Sequence, residues 1–122
     1  MTTHKSTCHC GAVELALNLP NGLVDMRRCD CSMCSRRGTI AATVPLEDLT
    51  VVKGADNLSL YQFRTNTAKH YFCKTCGIYT HHQRRSHPNT YGINIACIEG
   101  VDPYAQKDVP VTDGKNHVSD RI

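Results

Sequence analysis

The chain contains no tryptophan and only two phenylalanines, and aromatic residues make up 6% of its composition. Proteins that bind single-stranded nucleic acid stack bases on aromatic side chains, and no segment of this chain is rich in them. No run approaches the ~20 apolar residues of a membrane-spanning helix. Residues 1–7 also lack the apolar stretch of a secretory signal peptide. These absences favour a cytoplasmic protein that binds neither a membrane nor nucleic acid.

The positive charge of the chain gives little support to a nucleic-acid partner. The formal net charge is +3 when every thiol is counted as neutral. Zinc binds thiolate rather than thiol, so metal-bound cysteines would cancel most of that charge. The pair Arg84-Arg85 is expected to form part of the solvated surface.

Cysteine, by contrast, is abundant, with eight residues in the chain. Seven of them fall into three short clusters: Cys8 and Cys10; Cys29, Cys31 and Cys34; Cys73 and Cys76. Thiols this close in sequence suit a tetrahedral cation such as zinc, because one tight turn can aim several sulfurs at one point. A disulfide framework is the less favoured alternative, since close neighbours pair poorly and the chain shows no sign of secretion.

The hydrophobic pattern predicts strands almost throughout, in one domain over residues 1–122. Leu15, Leu17 and Leu19 alternate with less apolar residues, which is typical of a half-buried strand. The only candidate helix covers residues 32–37, and the chain beyond residue 101 is expected to be rich in loops. The predicted strands cover residues 13–19, 23–29, 39–44, 49–52, 58–63, 70–73, 78–83 and 91–97.

The first and third clusters together predict a structural zinc site. Cys73 and Cys76 are followed by Gly77, which can adopt the positive φ that closes a zinc-knuckle turn. Cys8 and Cys10 lie in a tighter turn just before a predicted strand. Four sulfurs complete a tetrahedron and leave no open position for a substrate.

The middle cluster offers three sulfurs, one fewer than a tetrahedral ion needs. An incomplete set of protein ligands is typical of zinc sites where chemistry occurs. His81 and His82 lie on opposite faces of one predicted strand, so at most one can point towards such a site. Cys97 is expected to be a buried, inert thiol on the apolar side of its strand. The fourth ligand therefore stays open among solvent, an external thiol, Cys97, His81, His82 and His87.

A second partition of the cysteines is also open. Cys8 and Cys10 could join Cys29 and Cys31, leaving a second four-sulfur site of Cys34, Cys73, Cys76 and Cys97. Both sites would then be closed, and the protein would be a purely structural module. We favour the first partition because one metal ion can collect three sulfurs that are so close in sequence.

Several segments match one known pattern: Cys8-His9-Cys10-Gly11-Ala12-Val13, Cys29-Asp30-Cys31-Ser32-Met33-Cys34 with Arg36-Arg37-Gly38, Phe72-Cys73-Lys74-Thr75-Cys76-Gly77, Gly92-Ile93-Asn94-Ile95-Ala96-Cys97 and Asp113-Gly114-Lys115-Asn116-His117. Through these segments the chain closely resembles the glutathione-dependent formaldehyde-activating enzyme family, which includes centromere protein V. The resemblance covers nearly the whole chain, and the ordered cysteine spacing is highly specific.

This resemblance implies a mainly β fold of small stacked antiparallel sheets pinned by zinc, of the type called a β-tent. It implies two Zn²⁺ sites, a structural one at Cys8, Cys10, Cys73 and Cys76 and a second, open one at Cys29, Cys31 and Cys34. It also implies a carbon–sulfur lyase activity. In that reaction glutathione or another small thiol joins formaldehyde or a related aldehyde, giving S-(hydroxymethyl)glutathione in the case of glutathione and formaldehyde.

The residues beside the second site suggest further roles. Arg36 and Arg37 are expected to attract the carboxylates of glutathione. Asp30 and Ser32, which lie between the ligands, are expected to support them through hydrogen bonds. The sequence nominates no general base. The alternative interpretation is a non-catalytic zinc-binding module that uses metal for stability or for recruiting a protein partner.

Overall fold

The computed structural model describes residues 3–117, which are mainly strands. This part of the chain contains one α-helix, α1 (Ser32–Arg37), and short 3₁₀ turns that include Ile95–Cys97. No helix within it has the length and apolar character needed to cross a membrane. The strands are β1 (Thr3–Thr7), β2 (Glu14–Asn18), β3 (Arg28–Cys29), β4 (Ala41–Pro45), β5 (Leu49–Lys53), β6 (Leu58–Tyr61), β7 (Lys69–Cys73), β8 (Tyr79–Gln83), β9 (Thr90–Asn94) and β10 (Val111–Thr112).

The strands form two antiparallel sheets and one short parallel pair. The smaller sheet has the order β1-β2-β5, and the larger has the order β4-β9-β8-β7-β6. The predicted mainly β fold with small antiparallel sheets is therefore confirmed. The parallel pair joins β3 to β10, which lies more than 80 residues further along the chain (Cys29 lies opposite Thr112).

One hydrophobic core draws on both antiparallel sheets. Leu15 and Leu17 alternate along β2 and are almost completely buried, as the sequence pattern predicts. From the larger sheet, Ala42 and Val44 of β4 and Ile93 of β9 join the same core. Burying each Leu or Ile side chain stabilises the fold by roughly 1.5–3 kcal/mol relative to an exposed one. This core supports the sheet face opposite the one that carries the cavity described below.

Two predicted strand boundaries are wrong. The predicted strand 23–29 is reduced to β3, whose two residues are Arg28–Cys29. The predicted strand 91–97 ends at Asn94, because the Asn94 side chain accepts a hydrogen bond from the Ala96 N–H and starts a 3₁₀ turn. Residues 101–117 are rich in loops, as predicted, and also contain β10, which pairs with β3.

One imidazole is buried against this core. His81, on β8, is 3% exposed, and its ring stacks on Tyr71 with centroids 4.8 Å apart. Its Nδ1 lies 2.8 Å from the Thr80 hydroxyl. Burial lowers the pKa of His81 to about 4, because an imidazolium there would lose its hydration.

We therefore expect His81 to contribute to acid destabilisation. In the unfolded chain the pKa of His81 is about 6.5. Between about pH 6.5 and pH 4, His81 is therefore protonated in the unfolded state and remains neutral in the folded state. Proton binding by the unfolded state therefore lowers the free energy of unfolding by roughly 3 kcal/mol at pH 4. His81→Phe keeps the stacked ring but cannot titrate, so it should lose less stability across that window. Denaturant unfolding at a series of pH values measures this, with the difference between the two proteins constant above about pH 7. Parallel pH profiles for the two proteins down to pH 4 would contradict the expectation.

Candidate metal centres

The first cluster forms where two turns from different sheets meet. Cys8 and Cys10 lie between β1 and β2, while Cys73 ends β7 and Cys76 lies in the turn before β8. The four sulfurs lie within 4.8 Å of one another. The Cys8–Cys10 and Cys10–Cys73 sulfur distances are both 3.7 Å. Four Zn–S bonds of about 2.3 Å require a tetrahedron edge of about 3.8 Å, so this arrangement fits a zinc ion.

Hydrogen-bond donors surround the sulfurs of this cluster. The Val13 N–H donates to Cys8 Sγ at 3.3 Å, and the Asn57 side-chain amide donates to Cys73 Sγ at 3.4 Å. Backbone N–H groups of Cys10 and Ile78 lower the pKa of Cys76 to about 6. Gly77 has the predicted positive φ, 79°, in the turn that follows Cys76. These N–H groups therefore favour the thiolate of Cys76, which is the form that binds metal.

The second cluster is built from one short stretch of chain. Cys29 ends β3, Cys31 is the N-cap of α1, and Cys34 lies inside that helix. The Cys31 sulfur accepts a hydrogen bond from the Cys34 N–H at 3.2 Å, so the start of the helix itself brings these sulfurs together. The three sulfurs lie within 4.8 Å of one another. Within residues 3–117, no fourth His, Cys, Asp or Glu joins this group.

The three thiols of the second cluster perturb one another. Hydrogen bonds from the Cys31 and Cys34 side chains lower the pKa of Cys29. The pKa of Cys34 is raised, first because its thiol is hydrogen bonded to Cys29 and Cys31 and then because it is buried. The three thiols therefore titrate as one group, and a cation bound among them would displace their protons.

The strand β10 brings a second segment onto this cluster. Asp30 Oδ1 accepts hydrogen bonds from the backbone N–H groups of Gly114 and Lys115, at 2.8 and 3.0 Å. A Cβ at Gly114 would collide with the sulfur of Cys29 and lie 2.7 Å from the Cβ of Cys31. Asp30 thus holds the segment after β10 against the cluster. Gly114 is a site residue that composition and periodicity did not predict. Its one sequence signal is the family-like segment at 113–117.

A cavity of about 220 Å³ lies beside the second cluster and is lined by all three of its cysteines. No cysteine of the first cluster lines it. Asp113 is the one carboxylate among its described lining residues. The polar lining is otherwise dominated by guanidinium, imidazole and phenol groups, from Arg27, Arg37, Arg84, Arg85, His70, His82 and Tyr79. The second cluster therefore borders a space that can take a ligand.

Polar contacts hold three of these arginines in place. Arg27 is 6% exposed, and its Nη1 donates to the Asp25 carbonyl and to Thr43 Oγ1, both at 2.9 Å. Arg84 Nη1 lies 3.4 Å from Asp25 Oδ2. The Arg85 Nη2 donates to the Gly114 carbonyl at 3.3 Å. The expectation that Arg84-Arg85 would be solvated surface is wrong, because β8 ends beside the cluster and the next two residues continue along the cavity wall.

The two arginines predicted to bind substrate separate in the structure. Arg37 lines the cavity, and its guanidinium donates to His70 Nδ1 at 2.9 Å. Arg36 is exposed on the other side of α1, where its Nη1 donates to the Ser32 carbonyl at 2.9 Å, and it does not line the cavity. Consecutive helical residues point about 100° apart, so only Arg37 of the two lines the cavity beside the second cluster, although both line a second groove together with His70 and Tyr79. Ser32 contributes its carbonyl at the first turn of α1.

The candidate fourth ligands also separate. His82 lines the cavity, with its Nδ1 hydrogen bonded to the Tyr79 hydroxyl, whereas His81 lies on the opposite face of the sheet. His87 is exposed and pairs with Ser86. Cys97 lies in the 3₁₀ turn after β9, half-buried, with its sulfur 3.7 Å from the Tyr79 carbonyl and in neither cluster. Because the strand stops at Asn94, the alternation that placed Cys97 on an apolar strand face does not extend that far.

The chain is similar to known proteins in sequence and in fold. A family model described as glutathione-dependent formaldehyde-activating enzyme matches residues 3–112. The crystal structure of a Rhodobacter sphaeroides protein has a TM-score of 0.85 and 66% identity, covering 88% of this chain and 99% of that one. A curated protein of Halomonas elongata, whose name assigns it provisionally to the same enzymes, is 32% identical over 80 residues, or 59% of this chain and 50% of its own. The match therefore spans half the length of that curated relative. The chain belongs to the glutathione-dependent formaldehyde-activating enzyme family.

Proposed function

We propose that this protein joins glutathione and formaldehyde into S-(hydroxymethyl)glutathione, and so acts as a carbon–sulfur lyase in the reverse direction. One observation carries the proposal: a three-sulfur cluster that suits zinc borders a cavity lined by four arginines. The family supports the pairing of these two substrates. A cytoplasmic location remains a prediction.

The two clusters would hold two Zn²⁺ ions in different roles. Cys8, Cys10, Cys73 and Cys76 supply a full set of ligands, which suits a structural ion. Cys29, Cys31 and Cys34 supply three, which leaves one position for a substrate. Zinc held there would bind the sulfur of an incoming thiol and lower its pKa, so that thiolate is present at neutral pH.

The cavity wall suits an anionic thiol. Glutathione carries two carboxylates, and guanidinium groups bind carboxylates through charge-assisted, often bidentate, hydrogen bonds. Arg37, Arg84 and Arg85 are placed to do so, while Arg36 faces away. At about 220 Å³ the cavity is smaller than most ligand pockets, which start near roughly 300 Å³. The cavity would therefore enclose the thiol end of the tripeptide, and the remainder of glutathione would lie at the cavity entrance.

The chemistry requires one new bond and one proton shift. The thiolate sulfur attacks the aldehyde carbon, the C=O π bond breaks, and its electron pair moves to oxygen. The thiol proton leaves to water, and the oxygen takes a proton from water, so the reaction is balanced without an oxidant or reductant. Holding the two reactants side by side is expected to supply most of the rate enhancement.

Exchange spectroscopy by NMR tests the activity directly. Glutathione and formaldehyde equilibrate with their adduct without a catalyst, so the informative quantity is the exchange rate at equilibrium. We expect the zinc-loaded protein to raise that rate in proportion to its concentration. An exchange rate equal to the protein-free rate, in protein with both clusters loaded, would favour the non-catalytic zinc module instead.

Serine substitutions should separate the two metal roles. Cys76→Ser removes a ligand from the four-sulfur cluster and should lower the free energy of unfolding by more than about 4 kcal/mol. Cys31→Ser should change it by less than about 1 kcal/mol, because serine is itself a good N-cap for α1. It should nevertheless lose one of two bound zinc ions. Zinc analysis and denaturant unfolding measure both effects, with Cys97→Ser, which lies in neither cluster, as the control. Equal unfolding by the two cluster variants would contradict the division of roles.

Gly114→Ala should impair the second site without removing any ligand. Its Cβ would collide with Cys29, so the segment after β10 must move away or the sulfur must shift. We expect zinc affinity at the second cluster to fall by about 10-fold or more, as when residues that support metal ligands are changed. Lys115→Ala is the matched control, because the neighbouring side chain is exposed and its N–H still reaches Asp30. Competition with a chromophoric chelator measures the affinity, and equal affinities in both variants would refute the close-packing argument.

A further inference from the structure

His70 lies in the cavity wall, on β7, directly opposite His82 on β8. It is 5% exposed. Its ring lies between those of Phe63 and His82, with centroids 5.7 and 5.3 Å away and interplanar angles of 21° and 24°. Both faces of the imidazole are therefore covered, and its plane is fixed. Only the two nitrogens at its edge are left for hydrogen bonds.

Arg37 determines which nitrogen of His70 carries the proton. The Arg37 Nη2 lies 2.9 Å from His70 Nδ1, and a guanidinium can only donate. His70 Nδ1 must therefore accept, so the single proton of the neutral imidazole is on Nε2. Burial, followed by the charges of Arg37 and Arg85, lowers the pKa of His70 to about 4, which keeps the ring neutral.

The protonated nitrogen of His70 is open to a ligand. Nε2 of His70 has no hydrogen-bond partner among residues 3–117. The same part of the chain contains no buried side-chain nitrogen or oxygen that lacks a partner. Nε2 therefore has accessible surface, and because His70 lines the cavity beside the second cluster we place its N–H donor there. His82 is not constrained in the same way, because its partner is the Tyr79 hydroxyl, which can donate or accept.

The helix α1 links this donor to the second cluster. Cys34 and Arg37 are three residues apart on α1 and so share one face of the helix. The Arg37 guanidinium lies 3.7 Å above the ring of Tyr79, which holds it between the helix and the larger sheet. One short helix thus positions both a sulfur of the cluster and the arginine that orients His70.

We propose that His70 is a catalytic residue that donates a hydrogen bond from Nε2 to the aldehyde oxygen, and that Arg37 is a positioning residue that keeps the proton on Nε2. This role rests on the proposed function. As the C–S bond forms and the C=O π bond breaks, negative charge develops on the oxygen beside the N–H. His70 keeps its proton, because an imidazolate would be too basic, and the oxygen takes its proton from water. The thiol releases one proton to water, and water gives one proton to the oxygen, so the step balances.

Two substitutions at His70 test the role. His70→Phe keeps a ring between Phe63 and His82 but removes the donor, so kcat should fall about 100-fold, as when one oxyanion donor is removed. The KM for glutathione and the zinc content should stay as in wild type, because neither depends on Nε2. His70→Gln, whose amide N–H can reach a position near Nε2, should regain part of kcat. His81→Phe is the matched control, since it makes the same change on the opposite face of the same sheet and should keep wild-type kcat.

The tautomer provides a readout that is independent of activity. In zinc-loaded wild type, ¹⁵N NMR should show His70 with Nδ1 unprotonated and Nε2 protonated. In Arg37→Met the guanidinium is absent, so both tautomers should be populated and kcat should fall. A proton on Nδ1 in wild type would overturn the proposal. An active wild type with unchanged kcat in His70→Phe would overturn the role of His70 alone, whereas a wild type with no rate enhancement would overturn the proposed reaction together with it.

Discussion

The approach of four sulfurs from two sheets is the interaction on which the rest of the structure depends. Cys8 and Cys10 belong to the turn between β1 and β2, and Cys73 and Cys76 belong to the turn between β7 and β8. The shared core consists mainly of aliphatic side chains and contains no tryptophan, so a domain of this size gains limited stability from burial alone. A metal ion in the four-sulfur cluster would fix the two sheets relative to each other and so hold the cavity wall in place.

The two clusters differ because they are built in different ways. The first joins distant parts of the chain and is surrounded by hydrogen-bond donors from the turns. The second is collected by β3 and the start of α1 and is covered on one side by Gly114. It borders the cavity, whose arginines and histidines come from the larger sheet, α1 and the segments beside β3, β8 and β10. Reactivity is proposed only where the set of protein sulfurs is incomplete.

Local sequence patterns predicted the elements that local physics controls. The alternation of Leu15 and Leu17 identified β2, the candidate helix at residues 32–37 matches α1, and Gly77 adopts the expected positive φ. Cysteine spacing also selected the partition of sulfurs that the structure brings together.

Contacts between distant segments could not be predicted from local sequence patterns. The pairing of β10 with β3 involves two residues on each strand, too few to leave a periodic signal, yet it places Gly114 on the second cluster. Arg84 and Arg85 resemble any surface pair in sequence, and their place in the cavity depends on where β8 ends. The tautomer of His70 depends on a contact with Arg37 from a separate element. Each of these features requires knowing which distant segments are neighbours.

The central claim is that two metal centres are unequal and that the second accepts an external thiol. X-ray absorption and anomalous diffraction at the zinc edge, recorded with and without glutathione, test it most directly. The account predicts two zinc ions per chain and one additional sulfur at about 2.3 Å from the zinc at Cys29, Cys31 and Cys34 when glutathione is present. A second zinc already bound by four protein ligands, or one whose sulfur count does not change with glutathione, would contradict it.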